Sequence, residues 1–232
     1  MRGATRIVIV AVVLMLATLL AGCAAGVGRD EAGLQADELL MLAADANDDV
    51  SIGKLLALGA NLEARDRNGK TPLIVAANGN RVKAARVLIA AGADVNAVDD
   101  IGDSAYLYAG AEGHVEILEL TLANGADLAA TNRFGGTALI PAAEKGHPEA
   151  VRMLIAAGVD VDHVNNLGWT ALQEAVVLGE GGPVHLAVVG QLLDAGADPN
   201  LVDRDGHTPL RNAEERNHTA IAERIRRAGG RR

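Results

Sequence analysis

Apolar positions in this chain recur at helical spacing, in short bursts divided by polar turns. Leu73, Ala76 and Ala77 define a short helical face, and Val82, Ala85, Leu88 and Ile89 define a second one on a helix over 82–91. Asn78-Gly79-Asn80 breaks the chain between them. Asp66-Arg67-Asn68-Gly69 predicts a turn ahead of them, because Asp and Asn bond nearby backbone and Gly accepts positive φ. Thr71 is placed to cap the first helix, and Pro72 stands at its first position, where a missing N–H costs nothing. Gly92 is placed to end the second helix.

This pattern of turn, helix, loop, helix and turn then returns. Gly-Ala-Asp recurs at Gly92, Gly125 and Gly196, and Asp66, Asp99, Asn132 and Asn165 are spaced 33 residues apart. A fixed period of that length predicts a stacked repeat array. The units run about 33–65, 66–98, 99–131, 132–164, 165–202 and 203–230. The first has helices over 38–46 and 49–58 but lacks a counterpart of Thr71-Pro72-Leu73, as a capping unit does. The fifth is five residues longer, around Glu180-Gly181-Gly182-Pro183-Val184, and insertions in repeat arrays map to loops, so its interhelical link should lengthen. In the last unit Glu214, Arg224 and Arg226 stand where earlier units carry Ala143, Met153 and Ile155, so they should face water as part of a terminal cap. Pro141 should distort its helix only locally.

The unit openings read TPLIVA at Thr71, SAYLYA at Ser104, TALIPA at Thr137, TALQEA at Thr170 and TPLRNA at Thr208. They resemble the Thr-Pro-Leu-His-x-Ala motif of the ankyrin repeat family. That resemblance implies an all-α fold over residues 35–230: an ankyrin-repeat solenoid of about six helix-turn-helix units with short β-turn fingers. The family His, which ties adjacent turns together, is replaced here by Ile74, Leu107, Ile140, Gln173 and Arg211. The resemblance also implies binding of a partner protein on a concave face made of turn tips and first helices.

Residues 1–22 read as an export signal rather than part of the fold. Arg2 and Arg6 precede the apolar run 7–20, and small residues then lead to Cys23. Leu20-Ala21-Gly22-Cys23 resembles the lipobox of bacterial lipoproteins. That implies cleavage before Cys23 and lipidation of its thiol, with residues 23–34 as a tether. An uncleaved membrane anchor is the alternative. Cys23 is the sole Cys, which excludes an internal disulfide. Ala24 and Ala25 follow it where an Asp would resemble an inner-membrane retention signal. The expected location is therefore the cell envelope, with the outer membrane favoured in a two-membrane organism.

Charge narrows the partners. The chain carries 21 basic and 30 acidic residues, a formal −9, and loss of Arg2 and Arg6 with the signal leaves 19 against 30, or −11. That balance speaks against nucleic acid and against anionic lipid surfaces, and it suits a partner with a basic face. Membrane contact would come through the lipid anchor only. Gly69-Lys70-Thr71 resembles the end of a phosphate-binding loop, but Ala64 stands where that motif needs Gly. The six His include no pair with metal-site spacing, and Ser104 takes a capping position. Asp94, Asp127, Asp160 and Asp198 recur once per unit and so serve the unit. No catalytic residue, metal or cofactor is predicted.

What stands out is apolar side chains on turns. Phe134 and Trp169 are the only Phe and Trp, and both fall on turn tips in adjacent units. Ile101, Leu167 and Tyr108 join them on the expected binding face, with Arg67, Lys70 and Arg133 as neighbouring cations. The expectation is a monomeric, membrane-tethered scaffold for another protein. The alternatives are an inhibitor or immunity protein for an exported enzyme or toxin, and a stabilising partner of a periplasmic enzyme such as a catalase.

Overall fold

The structure, a computed structural model, describes residues 29–232. The lipobox and Cys23 lie outside the described residues. Twelve helices are described, in the order α1 (Arg29–Asp45), α2 (Asp49–Ala57), α3 (Pro72–Asn78), α4 (Val82–Ala90), α5 (Ala105–Ala111), α6 (Val115–Ala123), α7 (Leu139–Glu144), α8 (Pro148–Ala157), α9 (Ala171–Val177), α10 (Pro183–Asp194), α11 (Pro209–Glu215) and α12 (Thr219–Arg227). None of them is long and apolar enough to cross a membrane. They fall into two compact units, which divide between Asp100 and Ile101.

In the first unit α1 pairs with α2 and α3 with α4, while α1 packs beside α3 and α2 beside α4. Small side chains permit this two-layer stacking. Ala43, Ala44, Ala76, Ala77, Ala84 and Ala85 are all fully buried, with Leu40, Leu55 and Leu88 filling the space between layers. Helix α1 starts at Arg29, well before the expected residue 38, so residues 29–34 are helical where a tether was expected. The second unit follows the same plan with eight helices. The first helices α5, α7, α9 and α11 form one row, and the second helices α6, α8, α10 and α12 form the other.

The repeated polar residues hold the turns. Asp66 accepts from the amides of Asn68 and Lys70 at 2.8 and 2.9 Å, and Asn132, Asn165 and Asp203 each repeat that pair of bonds. Asp94, Asp127, Asp160 and Asp198 each accept from the amide two residues on, which accounts for their recurrence. Thr71, Ser104, Thr170 and Thr208 cap their helices by accepting from the amide three residues on.

Pro141 causes the expected local distortion. Tyr108, Glu174 and Asn212 donate their amides to the carbonyls of Ser104, Thr170 and Thr208, but Pro141, at the same position, has no N–H to give Thr137. The amide of Ile140 bonds the Thr137 carbonyl instead, at 3.2 Å, and α7 begins one residue late. The Thr137 hydroxyl is left buried without a protein partner.

Two expectations are met in part. Interhelical links elsewhere have three residues, and the fifth repeat has five, 178–182, so the link takes only two of the five extra residues. The other three lengthen α10 to 12 residues, because Pro183 is well suited to start a helix early. The terminal charges also do more than face water. Arg224 bonds Asp194 at 2.5 Å, and Arg226 bonds Glu214 at 2.5 Å. Long cationic side chains at the end of a stack can cover apolar surface with their stems while pairing at their heads.

Candidate functional site

The first helices of the second unit carry the floor of a groove. The fifth position of the opening motif supplies Tyr108, Pro141 and Glu174, one from each of α5, α7 and α9. Residues three and four further on add Ala111, Glu112, Glu144, Lys145 and Leu178. They share a face because residues three and four apart on a helix are neighbours. The turn tips form the wall, with Ile101, Phe134 and Leu167 about half exposed. The amide of Asn166 donates to the Phe134 carbonyl at 2.8 Å, which ties two successive tips together. The space enclosed is about 440 Å³.

Of the residues expected on the binding face, the structure brings Ile101, Tyr108, Phe134, Leu167 and Arg133 into this groove. The Arg133 guanidinium stacks on the Phe134 ring, 4.7 Å from its centroid. Trp169 does not line the groove. It is half-buried, and its main chain closes the Asn165 turn in both directions. Of the two aromatic rings expected on the binding face, Phe134 lines the cavity and Trp169 is on its turn but outside it. Arg67 and Lys70 belong to the first unit. Arg67 is exposed and Lys70 half-buried, on a turn closed by Asp66 and by Arg65, which donates to the carbonyls of Gly69 and Val98 at 2.7 and 2.6 Å.

Sequence reasoning missed the carboxylates. Glu174 is only 4% exposed, yet it stands at the groove floor. Asn165 donates to it at 2.7 Å, and it shares a hydrogen bond with Glu144. Burial above all, and then the Glu144 charge, pushes its pKa up from 4.5 to about 7, against the pull of Asn165. Also lining the groove, Lys145 bonds Glu112 at 2.6 Å. The available signal was the fifth motif position, which reads Val75, Tyr108, Pro141, Glu174 and Asn212. No other unit carries an acid there, so Glu174 is out of pattern.

Beside the groove a buried polar network takes over the role of the missing motif His. Gln173 donates to the carbonyls of Leu201 and His207 at 3.1 and 3.0 Å and accepts from Asn212 at 3.0 Å; Asn212 also reaches Asp203 at 2.9 Å. Three of the His residues have structural roles. His163 and His185 bond the carbonyls of Gly135 and Glu144 through Nε2 at 2.7 and 2.8 Å, and a carbonyl can only accept, so both rings donate. The His147 ring covers Gly113 so closely that a methyl group there would come within 2.6 Å of its Cγ. Among the described residues no cluster of His, Cys, Asp and Glu is arranged to hold a metal ion.

Comparison with known proteins agrees with this architecture. A family model described as ankyrin repeats matches residues 14–99, 40–132 and 106–203. An ankyrin repeat domain from Acinetobacter baumannii AYE, solved by crystallography, is 55% identical over 83% of this chain and 98% of its own, with a TM-score of 0.80. The crystal structure of the ankyrin repeat protein EF0377 is 40% identical over 81% of this chain and 96% of its own, with a TM-score of 0.77. The ankyrin repeat protein YahD of Escherichia coli (strain K12) is 46% identical over 56 residues, and that match spans 28% of its length.

Proposed function

This chain belongs to the ankyrin repeat family, and we propose that it is a protein-binding scaffold tethered to the outer side of the cytoplasmic membrane, or to the outer membrane, by lipid on Cys23. Repeat arrays of this kind present extended surfaces to other proteins. The observation that carries the reading is the groove of the second unit, where Ile101, Tyr108, Phe134 and Leu167 expose apolar surface around a cavity. Such a patch on a folded chain marks a contact surface. Binding without turnover is the chemistry it supports.

The test is capture from solubilised membranes. Phe134→Ala should keep its helical spectrum and melting temperature, because the ring is half exposed, and should lose the partner that the wild type retains. A buried interface aromatic contributes about 2 kcal/mol or more, which lowers affinity some thirtyfold. Retention of the same partner at the same yield would defeat the assignment of this groove.

The anchor has its own measurement. Intact mass of membrane-extracted protein should show a chain that begins at Cys23 and carries lipid, and Cys23→Ala should abolish that species. A mature chain starting elsewhere, or without lipid, would remove the tether from the reading.

A further inference from the structure

The charges lining the groove do not balance. Asp103, Glu112, Glu144 and Glu174 face it, against Arg133 and Lys145. Lys145 is taken up by Glu112, and Arg133 stacks on Phe134 at the rim. Among the described residues no Lys or Arg pairs with Glu144 or Glu174; these two carboxyls meet each other instead, at the floor of the cavity. The same cavity is lined by Tyr108, Ile140, Phe134 and Leu167, which can cover an alkyl stem but cannot satisfy a charge.

We propose that the groove takes an arginine or lysine side chain of the partner protein, with its stem between Tyr108 and Phe134 and its cationic head on Glu144 and Glu174. The proposal rests on the scaffold reading and specifies the partner's chemistry. An arginine fits best, because its planar fork can engage two carboxylates at once and stack on an aromatic face. Bringing in a cation also resolves the poor situation of the free site, where two carboxyls share one hydrogen bond in a partly dry place. Binding should therefore release a proton from the pair near neutral pH.

The surroundings of Glu174 leave this pair as the titrating element. Glu144 on α7 and Asn165 in the preceding turn face it. On α10, packed against α9, His185 is committed to the Glu144 carbonyl. On α11, Arg211 is committed to Glu215, and Asn212 to Gln173 and Asp203. Lys145 and Glu112 pair with each other.

The experiment uses the full chain in non-ionic detergent, methyl-labelled at isoleucine, and two synthetic probes: acetyl-Leu-Arg-Leu-amide and its analogue with norleucine in place of arginine. At pH 8 the arginine probe should shift the Ile101 and Ile140 methyl signals and bind at least tenfold more tightly than the norleucine probe. That preference should fall severalfold at pH 5.5, where Glu174 holds its proton. It should vanish in the double variant Glu144→Gln, Glu174→Gln, with a melting curve confirming that the variant is folded. Equal binding of the two probes, shifts confined to methyls outside the groove, or a preference that survives the double substitution would overturn the proposal. If the preference is absent while Phe134→Ala still abolishes partner capture, the scaffold reading stands and the cation site falls alone.

Discussion

Leu88→Ala is expected to lower stability by about 2–5 kcal/mol, the range for removing a fully buried leucine from a packed core. Leu88 has no exposed surface and lies on α4 among Ala84, Ala85 and Ile89, between the two helical layers of the first unit. Alanine neighbours have no rotamers with which to fill the hole, so the cavity should stay open. Deleting Gly181 and Gly182, the two extra link residues of the fifth repeat, should cost less, since surface links tolerate changes in length. It should not be silent. Gly181 adopts a φ of +69° and lies against the His218 ring, where a Cβ would come within 2.3 Å of Cδ2. Urea unfolding of the three proteins decides the order, and a deletion more damaging than Leu88→Ala would show that the link is part of the core.

Glu174→Gln is expected to stabilise the protein at pH 8 by about 1–3 kcal/mol and to leave it nearly unchanged at pH 4.5. Folding raises the pKa of this carboxyl from 4.5 to about 7. Between those values the folded chain holds a proton that the unfolded chain has released, so the contribution of Glu174 to stability falls as pH rises through that window. Above pH 7 the folded chain carries the full cost of a buried carboxylate beside Glu144. A rise of that size is worth about 3 kcal/mol, reduced where the groove admits water. Glutamine keeps an oxygen for the Asn165 amide and removes the charge. Melting temperatures of the two proteins from pH 4.5 to 8 should diverge steadily; parallel curves would show that the carboxyl is ordinary. A residue that destabilises its own fold at working pH, and is relieved by a cation, is what a binding site built from buried charge requires.

Local chemistry by itself determined the repeat, its period and nearly every turn. Asp66, Asn132, Asn165 and Asp203 bond amides two and four residues away, and Thr71, Ser104, Thr170 and Thr208 cap amides three away. Interactions that close within one turn of chain can be read from spacing alone. Pro141 was legible for the same reason, since a missing N–H acts on its own helix. Only the tertiary structure decided which side chains share the groove. Phe134 and Trp169 both stand on successive turn tips, two positions apart in the repeat, and only Phe134 lines the cavity. Glu174 and Glu144 are 30 residues apart in sequence and meet because α7 and α9 are stacked. The division of five inserted residues between a link and a longer α10 was settled in the same way, by how far that helix could extend. The physical reason is common to all three. A repeat dictates its own turns, but packing between repeats dictates what lies side by side, and a charge is displaced from its ordinary pKa only by neighbours that packing supplies.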